Sequence, residues 1–218
     1  GPFFSSTTIP WYDSGGAVQG TICVLRDITD LHVEKLSHRD RARMQEILFG
    51  LLEISLHELP LAGQLEQALD LILGIPWLPL EPRGGVFLVG EDGQHLVLVA
   101  QRNLAAPLLV ECARLPFGRC LCGRAAKTRE IVFAAEVDDR HEVTYDGIEA
   151  HGHYCVPVLA GDRLLGVIVL YTHAGHEQSP TQRQYLQALA DALAGDQPSA
   201  AAVATAAAAL KDKDALWA

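Results

Sequence analysis

Two apolar runs, residues 153–159 and 164–171, are separated only by Ala160-Gly161-Asp162-Arg163. Four residues with a glycine among them make a tight reversal, so the runs must pair antiparallel. A second hairpin is written the same way. Val86-Phe-Leu-Val89 and residues 95–101 flank Glu91-Asp-Gly-Gln94, which has Asp-Gly chemistry at its tip. Residues 131–133 add a brief strand. Leu65, Ala68, Leu69 and Ile72 fall on one side of a helix over 65–75. Three prolines and two glycines make 76–85 a loop, and 138–150 is polar and loop-like. A short helix is expected over 107–115, ended by Pro116-Phe-Gly118, and Ser179-Pro180 opens a closing helix over 181–193. Strands joined by tight turns, with helices at the ends, describe an α+β domain. It should have an antiparallel sheet, helices on one face and a ligand pocket on the other.

The N-terminal part reads differently. Gly1-Pro2 looks like a protease-cleavage scar. Residues 3–12 are extended, Asp13-Ser-Gly-Gly16 is a turn, and residues 20–25 are a β-branched strand closed by Arg26-Asp-Ile-Thr29. A lone hairpin is marginal in water, so 1–29 reads as the cut end of a larger sheet. Residues 30–58 form a long connector helix. It is charged at first, then carries Ile47, Leu48, Leu51, Leu52 and Ile54 at helical spacing. Such a helix gains by pairing with a copy of itself, which predicts a homodimer through the N- and C-terminal helices. Residues 195–218 are an Ala-rich tail that extends the closing helix, is disordered or is vector-derived.

Composition removes several functions. The 218 residues carry a formal charge of -10 and no Lys/Arg stripe, which excludes a nucleic-acid footprint and makes phosphate and membrane surfaces poor partners. No apolar run spans a bilayer, and five cysteines are an odd count, so a reducing, cytoplasmic setting is expected. Gly-x-Ser-x-Gly, His-Glu-x-x-His and Walker-type loops are absent, which argues against an enzyme.

The residues that carry chemistry are Cys120, Cys122, His141, His151, His153 and Cys155. Cys120 and Cys122 stand two apart at a loop-to-helix junction, where free N–H groups should favour thiolates. Gly123 lets the backbone approach a ligand. Along residues 151–155 side chains alternate, so His151, His153 and Cys155 share one face. Thiolate plus imidazole suits a metal ion or an iron–sulfur cluster, with iron favoured over zinc. The expected metal ligands are Cys120, Cys122, His141, His153 and Cys155, with His151 at the edge of the site. Haem on one histidine, a thiol-redox pair without metal, and a small organic ligand are the alternatives. Cys23 and Cys112 read as small buried hydrophobes, and the other histidines as surface or core residues.

Several segments resemble a known family. Gly85-Val-Phe-Leu-Val-Gly90, Ala125-Ala126, His153-Tyr-Cys-Val-Pro-Val158 and Gly161-Asp-Arg-Leu-Leu-Gly-Val-Ile-Val-Leu-Tyr171 make residues 42–194 look like a GAF domain. Residues 9–34, with Asp13-Ser-Gly-Gly16 and Arg26-Asp-Ile-Thr29, resemble the end of a PAS domain and its exit helix. Cys120-Leu-Cys122-Gly123, Arg140-His-Glu142 and His151-Gly-His-Tyr-Cys155 resemble a subgroup in bacterial sensor proteins that end in a histidine kinase or a diguanylate cyclase. The resemblance implies a sensory module that relays redox, gas or metal status through helices to an output domain in cis. The Asn-Lys-x-x-Phe-Asp-Glu motif of cyclic-nucleotide-binding members is missing. A GAF-type free-methionine sulfoxide reductase, which also clusters cysteines, is the enzymatic alternative.

Overall fold

A computed structural model describes the backbone of residues 4–12, 18–27 and 29–194, and side chains from residue 42 onward together with Ser6, Pro10, Cys23 and Leu25. The expected turn at Asp13–Gly16, the start at Gly1-Pro2 and the tail 195–218 lie outside the described residues. The chain divides into two compact units, 1–46 and 47–218. In the first, β1 (Phe4–Tyr12) pairs antiparallel with β2 (Val18–Asp27), as a hairpin reading requires. The connector is α1 (Thr29–Ser55), about 40 Å long at helical rise. It ends three residues short of the expected 58, where Leu56 and His57 donate to Glu53 and Ile54 in tightened turns.

The second unit is built on a six-stranded, wholly antiparallel sheet. Its elements are α2 (Leu61–Leu73), β3 (Leu80–Val89), β4 (His95–Arg102), α3 (Ala106–Glu111), β5 (Arg114–Pro116), α4 (Cys120–Thr128), β6 (Val132–Ala134), β7 (His151–Ala160), β8 (Arg163–His173) and α5 (Pro180–Leu193). Strand order is β5-β4-β3-β8-β7-β6. The two hairpins read from the turns are β3–β4 and β7–β8, and they join through β3 against β8, with Phe87 opposite Val167. Gly166 makes that junction close, because a Cβ there would collide with the Phe87 carbonyl oxygen.

Three expectations shift. Residues 80–85 belong to β3 rather than to a loop, because a register shift between Leu80 and Gly84 takes up Pro82, which has no N–H for a ladder. The helix at 107–115 stops at Glu111, because Leu115 instead pairs with Leu96 and is buried in the core. Helices also lie on both faces of the sheet. α2 covers β3 and β4 and α5 covers β7, whereas α4 packs on the opposite side against β7 and β8. Leu121, Ala125 and Ala126 anchor α4 in a core with Phe87, Val167 and Val169.

Candidate functional site

Alternation along β7 places His151, His153 and Cys155 on the α4 side and Tyr154 on the α5 side, as the sequence implied. His141 comes from the loop before β7, where its backbone N–H bonds to the Asp138 carbonyl. The three imidazoles meet. Ring centroids lie 4.8 Å apart for His141–His153, 5.6 Å for His151–His153 and 5.7 Å for His141–His151. One nitrogen from each ring falls within 4.8 Å of the others, and all three residues are buried.

Their hydrogen bonds leave nitrogens aimed inward. His151 Nδ1 lies 2.7 Å from the Glu149 carbonyl oxygen, so it carries the proton and Nε2 keeps a lone pair. His141 Nδ1 accepts from the Asp138 N–H at 3.1 Å and lies 3.5 Å from Asp138 Oδ1, while its Nε2 is buried without a partner. His153 has no partner on either nitrogen. A neutral imidazole carries one N–H, so His153 holds a buried, unsatisfied donor, worth about 1–3 kcal/mol against the fold. Arg140 forks onto Asp138 and also donates to the Phe133 carbonyl, which holds the carboxylate beside His141. Asp138 is accordingly held down to about 2, chiefly by its Arg140 hydrogen bond.

Burial lowers the proton affinity of all three histidines. For His141 the Asp138 carboxylate opposes this, for His151 the Glu149 carbonyl opposes it, and for His153 the neighbouring His141 and His151 deepen it to well below the ordinary value. The rings are therefore neutral at pH 7, the form that binds a metal.

The thiols behave otherwise. Cys122 Sγ lies 3.4 Å from Cys155 Sγ, both residues buried. Among the described residues no cysteine sulfur joins the three-histidine group. The expected thiolates are corrected. Contact with the Cys155 thiol and burial raise Cys122 far above its ordinary value, and burial raises Cys120 although it begins α4. Desolvation outweighs the helix terminus here. Cys120 sits at φ 51, a left-handed conformation unusual for a side chain with a Cβ. Gly123 brings α4 close to the chain's own backbone rather than to a ligand, since a Cβ there would strike the Pro116 carbonyl oxygen. Cys112 is half-buried and Cys23 exposed, so neither is the fully buried hydrophobe expected.

The three histidines, Cys120 and Cys122 line one cavity of about 40 Å³, with Phe87, Leu108 and Val169 as its apolar wall. Tyr171 completes it, 4.9 and 5.1 Å from the rings of His151 and His153, with the Arg83 guanidinium over its ring at 4.3 Å. Residue-by-residue reading missed Tyr171, Asp138 and Arg140. The β7–β8 register puts Tyr171 directly opposite His153, and Asp138 precedes His141 by three residues, so hairpin register and loop spacing were the available signals.

The family model described as a GAF domain matches residues 62–195. No curated protein matches the chain in sequence. Among solved structures, the GAF domain of an Acinetobacter phosphoenolpyruvate-protein phosphotransferase is 20% identical over 78% of this chain and 95% of that one, with TM-score 0.58. The corresponding Coxiella burnetii domain is 24% identical over 77% and 96%, at 0.56. A free methionine-R-sulfoxide reductase from Neisseria meningitidis, solved with its substrate, is 23% identical over 76% and 92%, also at 0.56. These likenesses establish a shared fold.

Proposed function

Because this chain belongs to the GAF domain family, we propose that it is the sensory part of a bacterial signalling protein and that it holds one divalent transition metal, iron or zinc, on His141, His151 and His153. The observation that carries this reading is the convergence of three buried, neutral imidazoles, with ring nitrogens of His141 and His153 left without partners. A metal would satisfy those nitrogens, and three imidazoles suit both ions while leaving a coordination position open. The Glu149 carbonyl supplies the outer partner that orients His151, and the Asp138 backbone N–H fixes the His141 ring through Nδ1.

This narrows the expected Cys/His centre. The Cys122 thiol is held protonated and its sulfur touches Cys155 Sγ at 3.4 Å, which disfavours an iron–sulfur cluster. A cavity of about 40 Å³ is far below the several hundred Å³ of a typical organic-ligand pocket, which favours an ion over haem or a larger organic molecule. It also favours a sensor over a free-methionine sulfoxide reductase, and measured turnover of that substrate would replace the sensor reading. Relay to an output domain in cis, homodimerisation through the terminal helices and the PAS-like reading of 9–34 belong to the same proposal. No helix among the described residues is long and apolar enough to cross a membrane.

The test is anaerobic titration of metal-free protein with ferrous iron and with zinc, followed by metal analysis after desalting. One ion per chain is expected, with uptake lost in His153→Ala and kept in Cys120→Ser. Absence of uptake by the unaltered protein, or full uptake by His153→Ala, overturns the three-histidine site.

A further inference from the structure

Cys122 and Cys155 have a chemistry of their own. They come from α4 and β7, 33 residues apart, and their sulfurs are in contact at 3.4 Å. A disulfide bond is about 2.0 Å long, so joining them requires the sulfurs to close by little more than 1 Å. Cys122 lines the site cavity whereas Cys155 does not, being completely buried behind it. An oxidant in the cavity therefore meets Cys122, which shares the wall with Cys112 and Cys120, before it meets Cys155. The cavity volume of about 40 Å³ compares with roughly 10–15 Å³ needed to hold one water. It admits a molecule of two heavy atoms and rejects a bulky one.

We infer that Cys122 and Cys155 are a two-electron redox site that hydrogen peroxide, entering by the site cavity, closes to a disulfide. The Cys122 thiol gives up its proton, its sulfur attacks one peroxide oxygen as a thiolate, and the O–O bond breaks. The thiol proton goes to the departing oxygen, giving water and a sulfenic acid on Cys122. Cys155 sulfur then attacks Cys122 sulfur, the S–O bond breaks, and the hydroxyl leaves as a second water with the Cys155 proton. In sum two thiols lose two electrons and two protons, and one peroxide becomes two waters. The bond ties α4 to β7 two residues from His153, so peroxide history is written into the strand that carries the histidines. The pair is distinct from those histidines and needs no metal.

The experiment uses the full chain, freed of metal with a chelator and treated with equimolar hydrogen peroxide or cumene hydroperoxide. Intact mass and non-reducing peptide mapping give the readout. Cys120 and Cys122 share the fragment between Arg119 and Arg124, so mapping is repeated on Cys120→Ser. The expected result is a mass loss of about 2 Da and a crosslink to the Cys155 fragment that persists in Cys120→Ser and opens with dithiothreitol. Cumene hydroperoxide should act at least about tenfold more slowly, since only the small oxidant fits the cavity. No mass loss, stable oxygen addition without a crosslink, a crosslink lost in Cys120→Ser, one made through Cys23 or Cys112, or equal rates for the two oxidants would each overturn the inference.

Discussion

His153 is nearly sealed from water, with neither ring nitrogen bonded and two other imidazoles beside it. Protonating it in the fold would bury an unpaired charge, so its folded proton affinity lies well below the ordinary 6.5, and His141 and His151 shift the same way. Between those folded values and 6.5 the unfolded chain binds protons that the folded chain does not. Stability is therefore complete above 6.5 and lost as pH falls through that window. Metal-free protein should lose roughly 1 kcal/mol per pH unit below 6.5 from His153 alone. Urea midpoints at pH 7.5, 6.5 and 5.5 check this, and His153→Gln should flatten the slope. Metal affinity is a second readout at this scale. Asp138→Asn removes the carboxylate beside His141 and should weaken binding about 10-fold while keeping one ion per chain, measured by competition with a chelating dye.

Strand β7 has two chemistries because its side chains alternate. His153 and Cys155 serve the site, while Tyr154 between them crosses to α5, where its hydroxyl lies 3.3 Å from Gln182 Oε1 and from His176 Nε2. Gln182 also closes the capping box of α5, accepting from the Ser179 N–H while its own N–H donates to the Ser179 hydroxyl. A change at His153 thus reaches the first turn of α5 through one side chain. Metal loading should slow amide exchange in both β7 and the first turn of α5, and Tyr154→Phe should keep the first effect and lose the second. Ser179→Ala should cost about 1 kcal/mol and speed exchange at the start of α5 without changing metal uptake, since it removes only the cap.

In the second unit as a whole, everything depends on the contact between the two hairpins. Gly166 lies where β8 meets β3, too near the Phe87 carbonyl oxygen for any side chain. Gly166→Ala should destabilise by about 3 kcal/mol, lowering Tm by about 10 °C in a thermal melt and weakening metal binding only as the fold is lost.

Where the chemistry was local, it was legible in the chain. Gly161-Asp162 and Asp92-Gly93 specify their turns, Ser179-Pro180 starts α5, and period-two alternation puts His151, His153 and Cys155 on one face. The six candidate residues do border one cavity apart from Cys155, which stands directly behind Cys122. Tertiary structure alone decided how they divide. Whether Cys122 meets a histidine or another thiol depends on where α4 lands on β7, a packing set by Leu121, Ala125 and Ala126 rather than by any spacing in the chain. The same holds for Leu115, drawn from an expected helix into β5 by a long-range pair with Leu96, and for the protonation of Cys122. Turn and alternation signals act over a few bonds and are written residue by residue. Burial sums over neighbours distant in sequence, and only the folded chain brings them together.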